Sequence, residues 1–277
     1  MKILVTTDFS VNSKAGLRFA ISLAEFRKTE LIFFHSYFLP KPTSWSEATY
    51  SDYEKTEKLK LLNRFNKFVT AVYKAMNVPI GKIKCVMDQC LTPESGIMDY
   101  AESHSIDFIC IATRGAGRIK KYFGTTAGNL ITMSQVPVVV IPQHYKTKSI
   151  THILYASDLN NFRHELNKVF DFANRYKASI EVFHFAYPGE PLMDKNLLEA
   201  NLKQYKHKIK WHLENTELTQ PLVAQLQRAI ASVKPSIVIM FTEQRRTFFQ
   251  KVFLSSASKS IAFWSKVPLL VFNKTNK

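Results

Sequence analysis

Gly115, Gly117 and Gly124 stand between a short apolar run, Phe108–Ile111, and a pair of hydroxyl residues, Thr125 and Thr126. Four cations, Arg114, Arg118, Lys120 and Lys121, are set among those glycines. The chemistry such a combination can do is anion binding. Glycine lets a backbone turn sharply and come close to a ligand. A strand that runs through a glycine loop into a helix start presents free N–H groups and a positive dipole end, which suits a phosphate. Phe108–Ile111 reads as a strand buried on both faces. Thr125 and Thr126 stand before a helix over Ala127–Met133, where a hydroxyl can cap the first turn. Pro137 stops that helix, and Val138–Ile141 reads as a second buried strand. The cations could neutralise phosphates or simply solvate the loop.

Asp8 follows the apolar run 2–7 and has two readings that the sequence leaves open. It could meet ribose hydroxyls or help hold a magnesium ion beside phosphates, or it could cap the following helix with no ligand at all. Asp158 stands in the same local setting, and capping suffices for it. His35 and His184 close two apolar strands, but neither has a second His or Cys at ligand spacing, so both read as core or rim residues. His207 and His212 lie five apart in what reads as a basic helix, which is not the spacing of a helical metal pair. A nucleophile elbow, a P-loop lysine and a motif-placed pair of carboxylates are all missing. The expectation is a binding protein, not an enzyme.

The elements that must position these residues alternate. Strands are expected over 2–7, 31–36 and 79–86, with helices after Ser10 and Asn12, over 51–76 and over 93–104. With the 108–141 unit this gives β-α-β-α-β-α-β-α-β, the order of a parallel sheet with helices on both faces. Aromatics in 38–45 and 50–53 could cover a site or seal the crossover. The order then repeats. Ile3-Leu4-Val5-Thr6-Thr7-Asp8 matches Ile153-Leu154-Tyr155-Ala156-Ser157-Asp158, Phe34-His35 matches Phe183-His184, and Ser134-Gln135-Val136-Pro137 matches Ser265-Lys266-Val267-Pro268. Three landmarks in one order imply two domains of one α/β fold, 1–145 and 150–277, each a five-stranded parallel sheet.

Composition agrees with that picture. The chain has 277 residues, 46% of them hydrophobic, enough for two cores. No apolar run reaches the roughly 20 residues that cross a bilayer, and Asp8 interrupts the N-terminal run too early for a signal peptide. Three cysteines with no C-x-x-C pair argue against disulfides or zinc. These features imply a cytoplasmic protein. A net charge of +16 favours polyanions, but it is scattered and no nucleic-acid module accompanies it.

The residues ILVTTDFS near the N-terminus, the strand ending in His35, and Gly124-Thr125 before a Val-Pro-apolar strand together resemble the universal stress protein family in tandem form. The resemblance implies a doubly wound α/β fold of the adenine nucleotide alpha hydrolase-like kind and a stress-response role. It implies ATP or another adenine nucleotide at the carboxyl edge of the first domain, with Mg2+ beside the phosphates. Carried over by position, the implied contacts are Thr6, Thr7, Asp8, Ser36, Ala112, Arg114, Gly115, Gly124, Thr125 and Thr126. Ala112 stands where the family loop has its first glycine, and eight residues separate Gly115 from Gly124 where the family has nine. The second domain has Gln244 and Leu254 at the two remaining glycine positions and no glycine between them, so it is not expected to bind nucleotide. The resemblance casts it as a built-in partner, replacing a second subunit through the Val138–Ile141 and Leu269–Phe272 edges, with room for a homodimer. The alternative is a stress-response scaffold that binds proteins and no nucleotide.

Overall fold

The computed structural model describes residues 1–26, 29–113, 125–186, 189–190, 209–217, 219–242 and 266–274. It divides into two compact units, Met1–Thr147 and Lys148–Lys277. The first holds β1 (Lys2–Thr6), α1 (Lys14–Phe26), β2 (Glu30–Tyr37), α2 (Glu47–Met76), β3 (Lys84–Gln89), α3 (Pro93–Ser103), β4 (Phe108–Ala112), α4 (Thr125–Met133) and β5 (Val138–Ile141). Its strands run in the order β3-β2-β1-β4-β5, and the pairs are parallel, with Ile3 opposite Leu31 on one side and Phe108 on the other.

Side-chain alternation explains the two helical layers. Phe33 faces Tyr73 of α2, with ring centroids 6.2 Å apart. Phe34, one residue on, faces Tyr100 of α3 at 5.4 Å. Strands buried on both faces in this way read as continuous apolar runs, as Ile3–Val5 and Val138–Ile141 do. α2 is capped at its start by Ser46, whose hydroxyl accepts the Thr49 N–H, and at its end by Asn77 in the left-handed conformation. It is therefore longer at its start than the expected 51–76. Trp45 packs edge-on against Tyr53 at 5.1 Å, and the Tyr50 hydroxyl donates to the Leu39 carbonyl at 2.9 Å. Trp45 and Tyr50 thus tie the crossover to the first turns of α2, while Phe38 is exposed.

The third strand differs most from expectation. It covers Lys84–Gln89, not 79–86, because Pro79 cannot donate to a ladder and Gly81 has no side chain to pack. As an edge strand it is only half-buried, so its apolar signal is weak.

The second unit holds β6 (His152–Ala156), α5 (Phe162–Tyr176), β7 (Ser179–Ala186), β8 (Ile209–Asn215), α6 (Leu222–Val233), β9 (Ile237–Thr242) and β10 (Leu269–Asn273). Its strand order is β8-β7-β6-β9-β10, again with parallel pairs. The registers correspond: Ile153 faces Ile180 and Ile237 as Ile3 faces Leu31 and Phe108. His212 lies on a strand and not on a basic helix. Trp211 turns inward while Lys210 and His212 turn to the other face, a period of two that the lysines obscure in the sequence. His212 Nε2 sits 2.6 Å from a Glu181 oxygen, and Lys210 Nζ lies 3.3 Å from the other. His207 lies outside the described residues. No described helix is long and apolar enough to cross a membrane.

Candidate functional site

The carboxyl ends of β2, β1 and β4 meet at the place where strand order reverses: β1 leads on to β2 on one side and is flanked by β4 on the other. In open parallel sheets such a crevice is where ligands bind. Thr6 and Thr7 are buried there, with the Thr7 amide held to the Phe34 carbonyl at 3.0 Å. The Thr7 hydroxyl lies 2.8 Å from that of Ser13 and accepts the Phe9 N–H at 3.1 Å. Asp8 is exposed at the turn, where its carboxylate accepts the Ser10 N–H at 3.0 Å.

These bonds bear on the cap assignments. α1 starts at Lys14, so the residue before it is Ser13 and neither Ser10 nor Asn12. The Ser10 hydroxyl accepts the Ser13 N–H at 3.1 Å, and the Ser13 carbonyl receives the Gly16 and Leu17 amides. The bond from the Ser10 N–H to the Asp8 carboxylate closes a turn two residues on, ahead of the helix.

Ser36 lies on β2, with its hydroxyl 2.8 Å from the Cys90 sulfur. Ala112 ends β4, buried and paired with Ile141. It lies in regular strand backbone, where a methyl group carries no conformational cost, so glycine is not required there. Thr125 and Thr126 are the first two residues of α4, not residues preceding it, so their own amides are among those a helix leaves unpaired at its start. Arg114, Gly115, Gly124 and the rest of 114–124 lie outside the described residues. The structure therefore brings Thr6, Thr7, Asp8, Ser36 and Ala112 to the ends of three neighbouring strands. Among the described residues, no group of three His, Cys, Asp or Glu side chains could hold a metal ion.

His35 belongs to this edge more closely than a rim residue would. Its Nδ1 lies 2.8 Å from the Thr7 carbonyl oxygen, so that nitrogen carries the proton and donates. Its ring stacks on Phe9 at 4.0 Å. Burial holds its pKa below the usual histidine value, against the opposing pull of the Thr7 carbonyl and Asp8, with Arg64 adding to the depression.

The same edge of the second unit is built otherwise. Register places Phe241 where the first unit has Ala112, and Phe241 stacks on Phe272 at 5.1 Å and meets Tyr155 edge-on at 5.7 Å. Lys274, at the position of Gln143, reaches both Asp158 oxygens at 2.8 Å and a Glu165 oxygen at 3.0 Å. Tyr155 donates to the other Glu165 oxygen and accepts from Ser157. Burial alone would lower the Lys274 pKa, but the two carboxylates reverse that and raise it. Burial raises the Glu165 pKa despite Tyr155 and Lys274. Neither Phe241 nor Lys274 is marked by a motif. Both could be found by sliding one half of the sequence along the other at the register of Ile3 and Ile153.

Comparison with known proteins fits this architecture. The universal stress protein family matches residues 1–142. The chain belongs to that family. No curated protein sequence matches it. Among solved structures, a universal stress protein from Archaeoglobus fulgidus DSM 4304 is similar over 99% of this chain and 98% of its own, with a TM-score of 0.70 at 17% identity. A protein of unknown function from Pseudomonas aeruginosa PAO1 is similar over 98% of this chain and 92% of its own, with a TM-score of 0.56 at 13% identity. At these identities the likeness is one of fold.

Proposed function

We propose that the first unit binds an adenine nucleotide, ATP in the first instance, and that the second unit is a non-binding partner domain in a stress-response protein. The observation that carries the reading is the convergence of Thr6, Thr7, Asp8, Ser36 and Ala112 on one carboxyl edge, at the reversal of strand order, with the first turn of α4 following the glycine loop. Base and ribose would lie against Thr6, Thr7, Asp8 and Ser36. The phosphates would meet Arg114, Gly115, Gly124, Thr125 and Thr126, with Mg2+ held chiefly by the phosphates and Asp8. At the corresponding edge of the second unit Phe241 stands at the Ala112 position, and Asp158 is paired with Lys274. Binding without turnover is the activity proposed, since the sequence carries no recognised motif for activating water. Any switch would act through a protein partner that senses the loaded state.

Calorimetric titration of the full chain with ATP, with and without Mg2+, tests this. One site per chain is expected, lost in Gly124→Leu, which copies Leu254 of the second unit. No binding by the folded wild type at millimolar ATP would leave the scaffold reading in its place. Two sites per chain would contradict the assignment of the second unit.

A further inference from the structure

One imidazole holds both neighbours of Asp8. His35 Nδ1 donates to the carbonyl of Thr7, the residue before it, and the His35 ring stacks on Phe9, the residue after it, with 33° between the planes. Phe9 needs holding. Its φ is 61°, in the left-handed region that a residue with a side chain avoids. Phe65 and Phe68 pack around the ring at 5.3 and 5.7 Å, and the Arg64 guanidinium lies over it at 5.0 Å. The Phe9 amide is tied back to the Thr7 hydroxyl. The backbone on either side of Asp8 is thus held by His35 and its neighbours, while Asp8 itself is exposed.

The second unit keeps half of this device. His184 Nδ1 lies 3.1 Å from the Ser157 carbonyl, and Leu159 has the same φ of 61°, but it has no ring to stack. Its aspartate is gripped directly by Lys274. Where the carboxylate is gripped, the stack is absent.

We propose that His35 is a positioning residue for ligand binding by the first unit, clamping Thr7 and Phe9 so that Asp8 presents its carboxylate in one direction. This rests on the nucleotide reading above. The test uses the full chain with His35→Ala, His35→Asn, Phe9→Leu and, as control, His184→Ala. Three quantities are measured: ATP affinity by calorimetry, amide exchange of Phe9 and Ser10 without ligand, and the urea midpoint. His35→Ala should weaken ATP about ten-fold, the scale of one well-made hydrogen bond, and speed exchange at both amides. His35→Asn, whose amide can donate from nearly the place of Nδ1, should recover most of the affinity. Phe9→Leu copies Leu159 and should lose a few-fold in affinity with its fold intact, so it carries the test should His35→Ala not fold. His184→Ala should leave affinity unchanged.

Wild-type affinity and exchange in His35→Ala, or in Phe9→Leu if that variant stands alone, would overturn the clamp. So would equal weakening in the alanine and asparagine variants that merely follows the urea midpoint, since packing would then suffice. Failure of the wild type to bind ATP would remove the role by removing the nucleotide reading. That failure is distinct, because it is seen before any variant is made.

Discussion

Ala112 and Phe241 hold the same place on β4 and β9, and Gln143 and Lys274 the same place after β5 and β10. Around the first pair the sheet edge is lined by small hydroxyl residues and an exposed aspartate. Around the second it is closed by stacked aromatics and a buried ammonium between two carboxylates. One fold has been given two kinds of carboxyl edge. An aspartate after the first strand is therefore not in itself a ligand site: its role depends on what the last strand sends toward it. A buried cation that already satisfies the carboxylate makes it a structural residue, as Lys274 does for Asp158, whereas Asp8 is solvent-exposed.

The largest effect should come from removing the internal cation. Lys274→Met leaves Asp158 and Glu165 together with no counter-charge, and breaking one side of a buried ion pair costs about 3–5 kcal/mol. Urea unfolding should show that loss in the second unit, with ATP affinity in the first unit unchanged. A loss below about 1 kcal/mol, the scale of an exposed pair, would mean that the lysine does not close this edge.

A smaller and sharper contrast comes from the two aspartates. Asp158→Asn removes a charge from the Lys274 cluster and should cost about 2 kcal/mol, as hydrogen bonds to charged groups do. It should have no effect on nucleotide. Asp8→Asn keeps an oxygen for the Ser10 N–H and should move stability by no more than about 0.5 kcal/mol, while weakening ATP. Unfolding curves and titrations of both variants check the crossing pattern. Two aspartates with the same stability cost and the same affinity cost would erase the distinction between the units.

The parallel α/β class is legible in the sequence because strands buried on both faces leave unbroken apolar runs, such as Ile109–Ile111 and Val138–Ile141, between helical patterns. Edge strands are not. β3 is half-buried, and β8 interleaves Lys210 and His212 with Trp211, so charge hides the alternation. Asp8, Thr7 and Ser36 could be placed near one edge because each follows or ends an apolar run. The work of His35 could not be read, since its bond spans from β2 to the Thr7 carbonyl just past β1, beside a left-handed Phe9 that no residue pattern announces. Lys274 and Asp158 are 116 positions apart and meet only because β10 and β6 both flank β9.

The smallest effect concerns acidity and separates the clamp from the cation. Burial is the largest cause of the depressed His35 pKa, so the folded ring is neutral where an unfolded histidine, with its ordinary value near 6.5, starts to take up a proton. Between those two values the unfolded chain binds more protons. The stability present above about pH 6.5 is therefore lost progressively as the pH falls toward the folded value. His35→Asn has no proton to take up, and its unfolding free energy should show a shallower slope between about pH 7 and 5 than the wild type. Arg64, whose charge adds to the depression, offers a second handle: Arg64→Gln should flatten the slope in part. An unchanged slope in His35→Asn would place the acid sensitivity elsewhere and leave the Thr7 carbonyl held by a ring whose charge is of no consequence to the fold.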